Sequence, residues 1–140
     1  MDTERKEMSK IDEMLTKPCW IIDMLPERVP ENSPGQFFTI EKFFLRDPDL
    51  RRKQTDLLLK LNCYYDLTLV RDEGDITNPA PEKLAELIGR EYLNILIGDA
   101  LIAADNTVIH MTLFGPDEQM LDLIRKLASA EGLFVWKGTD

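Results

Sequence analysis

The stretch from Tyr92 to Trp136 constrains the fold more than any other part of the chain. It reads YLNILIGDALIAADNTVIHMTLFGPDEQMLDLIRKLASAEGLFVW. Two apolar runs are followed by Asp105-Asn106, a dipeptide that tolerates the left-handed conformation of hairpin turns. The run that follows, 107–114, alternates with the period of a strand. Gly98 interrupts the earlier apolar run and indicates either a bulge or a tight turn. The stretch therefore predicts adjacent antiparallel strands.

A helix and a last strand complete this stretch. Gly115-Pro116 is expected to open the helix, with Pro116 at the first helical position, where its missing donor costs nothing. Gly132 is expected to end it. Residues 133–136 contain no polar side chain, which predicts a central or covered strand. The helix is expected to pack through one apolar face, formed by Met120, Leu121, Ile124, Leu127 and Ala128.

The earlier part of the chain alternates in the same way between helical and strand patterns. Residues 2–17 predict a peripheral amphipathic helix with a thin stripe of Met8, Ile11 and Leu15. Two later helices are expected to begin at a cap followed by proline, at Ser33-Pro34 and Asp47-Pro48. The remaining predicted elements are strands at 20–25 and 63–71, a loop at 26–34, a turn at 72–81 and a short helix at 82–88.

Together these patterns predict a single α+β domain over residues 1–140. We expect a mainly antiparallel sheet of about five strands with helices packed on one face, because hairpin signals and helices are mixed without regular βαβ alternation. The C-terminal strand–helix–strand is also compatible with one parallel or split pairing.

The helix at 34–45 is unusually apolar. Phe37, Phe38, Phe43 and Phe44 are joined by Ile40 and Leu45, so apolar side chains cover more than half of the helical circumference. Such a helix is expected to be covered on more than one side. Glu41 falls inside the apolar arc. It is either an acid held in an apolar pocket or a carboxylate that reaches solvent or a partner at the edge of a groove.

Composition and charge exclude several classes of function. The net charge of −9 disfavours nucleic acid and favours a protein partner with a basic surface. No run approaches the roughly 18 apolar residues of a membrane span, and the N-terminal sequence does not read as a signal peptide. We therefore expect a cytoplasmic protein that does not bind membranes, with Cys19 and Cys63 as reduced thiols. The basic cluster Arg46, Arg51, Arg52 and Lys53 is either a solvated face or a site for an anion or acidic partner.

Searches for catalytic motifs find none. There is no phosphate loop, dinucleotide fingerprint or nucleophile elbow, and His110 is the single histidine. We expect no metal and no cofactor, because zinc sites need more imidazoles or thiolates than this chain offers. One group of polar residues remains as a candidate site. Asp23, Asp66 and His110 could bind a metal or carry out acid–base chemistry if the strands bring them together. The candidate binding residues are Tyr64, Asp66, Thr68, Asn94, His110 and Thr112 on the polar side of the sheet, together with Glu41.

Two functions remain open from the sequence. The first is a non-enzymatic protein-interaction module, which the acidity and the lack of motifs favour. The second is a small-molecule sensor or enzyme with a pocket lined by the Phe-rich helix 34–45. Self-association through exposed strand edges is a third way in which the surface could be used.

Overall fold

A seven-stranded sheet is the centre of the fold. The computed structural model of the chain describes residues 10–32 and 35–139. The strands of this part are β1 (Cys19–Asp23), β2 (Leu67–Val70), β3 (Ile76–Thr77), β4 (Leu93–Ile97), β5 (Ala100–Ala104), β6 (Met111–Phe114) and β7 (Phe134–Lys137). Its helices are α1 (10–14), α2 (Gln36–Arg46), α3 (Pro48–Asn62), α4 (Pro81–Leu87) and α5 (Glu118–Ala130).

The strands lie in the order β3-β2-β4-β5-β6-β1-β7, and every neighbouring pair is antiparallel. Strand β1 lies between β6 and β7, so those two strands run parallel with one strand between them. The predicted α+β class is confirmed, and so is the split pairing around α5. The expected number of about five strands was too low, partly because the segment predicted as a turn contains the two-residue edge strand β3.

Two hairpins join β4, β5 and β6. Ile97 pairs with Ala100, so Gly98 and Asp99 form a two-residue turn rather than a bulge. Gly98 has φ +53°, which is typical of the first position of a type II′ turn. The second hairpin has the predicted Asp105-Asn106 turn, but its loop extends to residue 110. The run predicted as a strand from residue 107 enters the sheet only at Met111, which pairs with Ala104.

The main core lies between one face of the sheet and helices α3, α4 and α5. The predicted inward face of α5 is confirmed: four of its residues are buried and Leu127 packs against them half-buried. The start of that helix differs from the expectation, because Asp117 rather than Pro116 occupies the junction. The Asp117 carboxylate accepts a hydrogen bond of 2.7 Å from the Met120 backbone N–H, which makes it the N-cap. The cap predicted at Asp47 is confirmed.

The opposite face of the sheet, called here the α1 face, is covered over its centre by α1. Ile11 and Met14 are buried against Leu96 and Leu101. Helices therefore lie on both faces of the sheet, with α3, α4 and α5 on one face and α1 on the other. The predicted stripe was correct for Ile11 and wrong for Leu15, which is exposed; Met8 lies outside the described residues. In the described ranges no helix combines the length and apolarity needed to cross a membrane.

Three further expectations were wrong. Strand β7 is an edge strand and not a central one, and Phe134 at its start is exposed. The strand predicted from Cys63 begins only at Leu67, because Cys63 caps α3 and the chain turns after it. Helix α2 has no buried residue, although it was expected to be covered on more than one side. Its predicted cap, Ser33-Pro34, lies outside the described residues.

Candidate functional site

A cleft of about 420 Å³ opens on the α1 face beside β1 and β7. Alternation along β1 directs Cys19, Ile21 and Asp23 to this face, and the register places Trp136 of β7 opposite Ile21. Phe37 and Phe38 of α2 form the facing wall. The remaining lining residues are Arg28, Val29, Pro30, Glu31, His110, Gly138 and Thr139. The volume is within the range of small-molecule sites.

Side chains of α2 and α3 hold the loop that positions His110. The Ile109 backbone N–H donates to Glu41 Oε2 at 3.3 Å, and the Ile109 carbonyl accepts from Gln54 Nε2 at 3.1 Å. The guanidinium of Arg51 donates to the carbonyls of Asn106 and Val108. These bonds replace the strand ladder that the sequence predicted for this segment. The buried amide of Gln54 is thereby satisfied.

Asp23 is the buried charge of the cleft. Only 7% of the residue is exposed, and its Oδ1 accepts a hydrogen bond of 3.3 Å from the Leu25 backbone N–H. Burial raises the pKa of Asp23, while that hydrogen bond and the nearby His110 act in the opposite direction. The β1–β6 register, continued by one pair beyond Ile22 and Met111, places Asp23 beside His110.

Asp105 contrasts with Asp23. Its Oδ1 accepts from both the backbone N–H and the hydroxyl of Thr107, at 2.8 and 2.7 Å, and these bonds hold the pKa of Asp105 below its ordinary value. His110 lowers this pKa further. The imidazole thus influences two carboxylates that lie in opposite environments.

The exposed side chains of α2 are the second feature. Phe38, Ile40 and Phe43 are 67%, 52% and 63% exposed, with Phe38 beside the cleft and Ile40 beside a second depression. Lys42 and Arg46 of the same helix are also exposed. We call these five residues the α2 arc. This second depression of about 270 Å³, almost entirely apolar, lies on the inner side of α2 between that helix and the 24–29 segment. Helix α2 therefore lines both the cleft and this second depression.

The structure does not gather the candidate binding residues at one place. His110 lines the cleft, Glu41 holds the loop beside it, and Thr112 lies on the same sheet face one strand from β1. Thr68 and Asn94 share that face but belong to β2 and β4. Strand β2 is three positions from β6, roughly 14 Å across the sheet.

Asp66 and Tyr64 are farther still from His110. Asp66 accepts a hydrogen bond from the Asn78 amide at 3.0 Å, near the opposite end of the strands, and Tyr64 is exposed in the turn after α3. Convergence of Asp23, Asp66 and His110, on which a metal or acid–base site depended, does not occur. In residues 10–32 and 35–139 no cluster of three or more His, Cys, Asp or Glu side chains could hold a metal ion.

The basic cluster is mostly engaged within the protein. Arg51 binds the 105–110 loop, Arg52 pairs with Asp49 and Asp56, and Lys53 lies 3.6 Å from Asp49. Cys19 and Cys63 form no disulfide in the described part of the chain.

Sequence reasoning missed much of the cleft. The sequence predicts Trp136 in a central or covered strand, and it predicts Arg28 and Glu31 in the loop at 26–34. Alternation along β1 was the available signal, since it separates Cys19 and Asp23 from the buried Ile22. No protein-family model, curated protein or solved structure matches this chain.

Proposed function

We propose that this protein is a non-enzymatic protein-interaction module that binds its partner through the α2 arc. The supporting observation is the exposure of Phe38, Ile40 and Phe43 on a helix that has no buried residue. Large apolar side chains that one helix leaves exposed are typical of an interaction site. Full burial of each would contribute about 1.5–3 kcal/mol to association.

Charge narrows the class of partner. The net charge of −9 attracts a positively charged protein over long distances, whereas Lys42 and Arg46 in the arc require acceptor groups at the contact itself. A protein surface with an apolar centre and charges of both signs meets both requirements. A uniformly anionic surface such as nucleic acid does not. A cytoplasmic location is part of this proposal.

The cleft beside α2 favours a second candidate, the small-molecule sensor or enzyme. It is lined by Phe37 and Phe38 of the Phe-rich helix and contains an acid and an imidazole. This candidate requires a ligand that enters the cleft, and of the α2 arc only Phe38 would then contact the ligand.

A comparison of two double variants tests the first proposal. Phe38→Asp with Phe43→Asp changes the arc, and Tyr64→Asp with Tyr92→Asp changes two exposed aromatic residues elsewhere. Both pairs add the same charge to exposed aromatic positions, so both variants should keep the wild-type melting temperature. In affinity capture from host lysate, we expect a defined protein to be retained by the wild type and the tyrosine variant and lost by the phenylalanine variant. Its retention should fall as salt rises.

Other outcomes would contradict this assignment. Loss of the partner in the tyrosine variant alone would favour the predicted surface around Tyr64 and Asp66 instead of the arc. If both variants retain it, neither surface is the contact. If purified wild type forms dimers in analytical ultracentrifugation and the phenylalanine variant does not, the arc is covered by a second copy of this chain.

A further inference from the structure

The Asp23 carboxylate is buried more deeply than its hydrogen bonding would explain. In the described residues it accepts backbone hydrogen bonds from Leu25 and, more weakly, from Met24, and it forms no ion pair with a lysine or arginine. A buried carboxylate is costly unless it is paired and fully hydrogen-bonded. Asp23 nevertheless lines an open cleft, so a group that enters the cleft can reach it.

The cleft walls suit a ligand with an apolar body. Phe37, Phe38 and Trp136 provide aromatic surface, and the Trp136 indole N–H is already used, because it donates to the Leu25 carbonyl at 3.1 Å. Aromatic rings also attract cations through their faces, by about 0.5–2 kcal/mol. The walls therefore favour an apolar or cationic group over an anion.

The charges around the cleft also favour a cationic ligand. Glu31 adds a second acid at the exposed rim. Arg28 is the one arginine in the lining; it is exposed, and its guanidinium donates to the Thr139 hydroxyl at 3.3 Å. The chain as a whole carries −9. The other basic group of the lining is the His110 imidazole beside Asp23. The two acids of the cleft thus face one imidazole and one arginine, and that arginine lies at the surface.

We propose that this cleft binds a small organic cation, an ammonium or guanidinium group on an aryl or alkyl body, with Asp23 as its counter-ion. The cationic group contacts Asp23 at the base, and the apolar body lies between the α2 phenylalanines and Trp136. The cleft shares Phe38 with the α2 arc, but a ligand in the cleft does not require the arc to be a protein contact. The proposal concerns the class of ligand that the cleft binds and includes no reaction of that ligand.

Three probes of similar shape and different charge test the proposal by isothermal titration calorimetry: 2-phenylethylamine, 2-phenylethanol and 3-phenylpropanoate. The amine should bind at least about tenfold more tightly than the alcohol, a difference of about 1.4 kcal/mol. Asp23→Asn should abolish that preference. Asn keeps an acceptor for the Leu25 N–H, so the variant should fold, and its melting temperature checks this. Asp99→Asn, in the exposed β4–β5 turn, removes the same charge elsewhere and should keep the preference.

Several results would overturn the proposal. One is equal binding of amine and alcohol, and another is a preference that survives Asp23→Asn. Tighter binding of the propanoate, lost in Arg28→Gln, would make this an anion site. Absence of saturable binding of 2-phenylethylamine, 2-phenylethylguanidine and choline up to about 10 mM would mean that the cleft has no useful affinity for such cations. Binding of a blocked Phe-Lys-Phe peptide without binding of any free amine would replace the small molecule by a protein partner.

Discussion

Two aspartates on the strands flanking β6 show how local environment sets the behaviour of the same side chain. Asp23 at the end of β1 is buried, and this burial raises its pKa in spite of backbone hydrogen bonds from Leu25 and Met24. Asp105, just after β5, accepts two short hydrogen bonds from Thr107, and its pKa is lowered. Because a pKa that differs between the folded and unfolded states makes stability depend on pH, the two residues should act in opposite directions.

The sign for Asp23 follows from its raised pKa. Its contribution to stability is complete below the ordinary pKa of 3.8 and is lost as pH rises through the higher pKa of the folded state. Asp23→Asn should therefore gain stability relative to wild type between about pH 4 and pH 7. For Asp105 the contribution is complete above the ordinary pKa of 3.8 and is lost as pH falls through the lower pKa of the folded state. Asp105→Asn should therefore be less stable than wild type by a nearly constant amount between about pH 4 and pH 7, and this difference should shrink below about pH 4. Urea denaturation of the three proteins at about pH 3, pH 4 and pH 7 measures both effects. Parallel trends in the two variants would contradict the assigned environments.

Burial distinguishes α5 from α2, although both helices carry a similar density of apolar residues. Ile124 of α5 is fully buried, while Phe43 of α2 is mostly exposed. Ile124→Ala should lower the free energy of unfolding by about 2–5 kcal/mol. Phe43→Ala should change it by no more than about 0.5 kcal/mol. Chemical denaturation of both variants measures the contrast. A comparable loss in Phe43→Ala would mean that α2 packs into the core.

The elements that sequence predicted correctly are those determined locally. The α3 cap at Asp47 and the α5 face around Ile124 depend on nearby residues, and the structure confirms both. The chain also reverses near Asp105 as predicted, but through a loop of residues 105–110 in which neither Asp105 nor Asn106 is left-handed. The predictions that were wrong concern elements whose position depends on residues distant in the sequence. A strand such as β7 is apolar on both faces whether it is central or at an edge, and only the strand order distinguishes these.

The prediction of the candidate site failed for the same reason, because it too depended on residues that are distant in the sequence. An alternating strand pattern assigns Thr68 and Thr112 to the polar side of a sheet but contains no information about how many strands separate them. The cleft also depends on Arg28 and Glu31, whose segment has no periodicity. Apolar periodicity likewise does not say whether the residues of α2 are covered by this chain or by another molecule.

The stability of the whole molecule should be uneven, with α2 at its weakest end. Nearly all residues of the central strands β4 and β5 are buried, because helices cover both faces of the sheet there. Helix α2, in contrast, has no buried residue and borders two depressions. Regions with few buried apolar contacts open locally without global unfolding. An interaction helix that must reach a partner is expected in such a region.

Amide hydrogen exchange of the isolated protein tests this gradient. Amides of Gln36–Arg46 should exchange at least about a hundredfold faster than those of Leu93–Ile97, which corresponds to roughly 3 kcal/mol less opening free energy. Protection of α5, a helix of similar length with four buried residues, provides the internal comparison. The measurement should be made at two protein concentrations. Protection of α2 that rises with concentration would show that a second copy covers the helix. Protection equal to that of the central strands at high dilution would show that α2 is held by its own chain and is not a surface awaiting a partner.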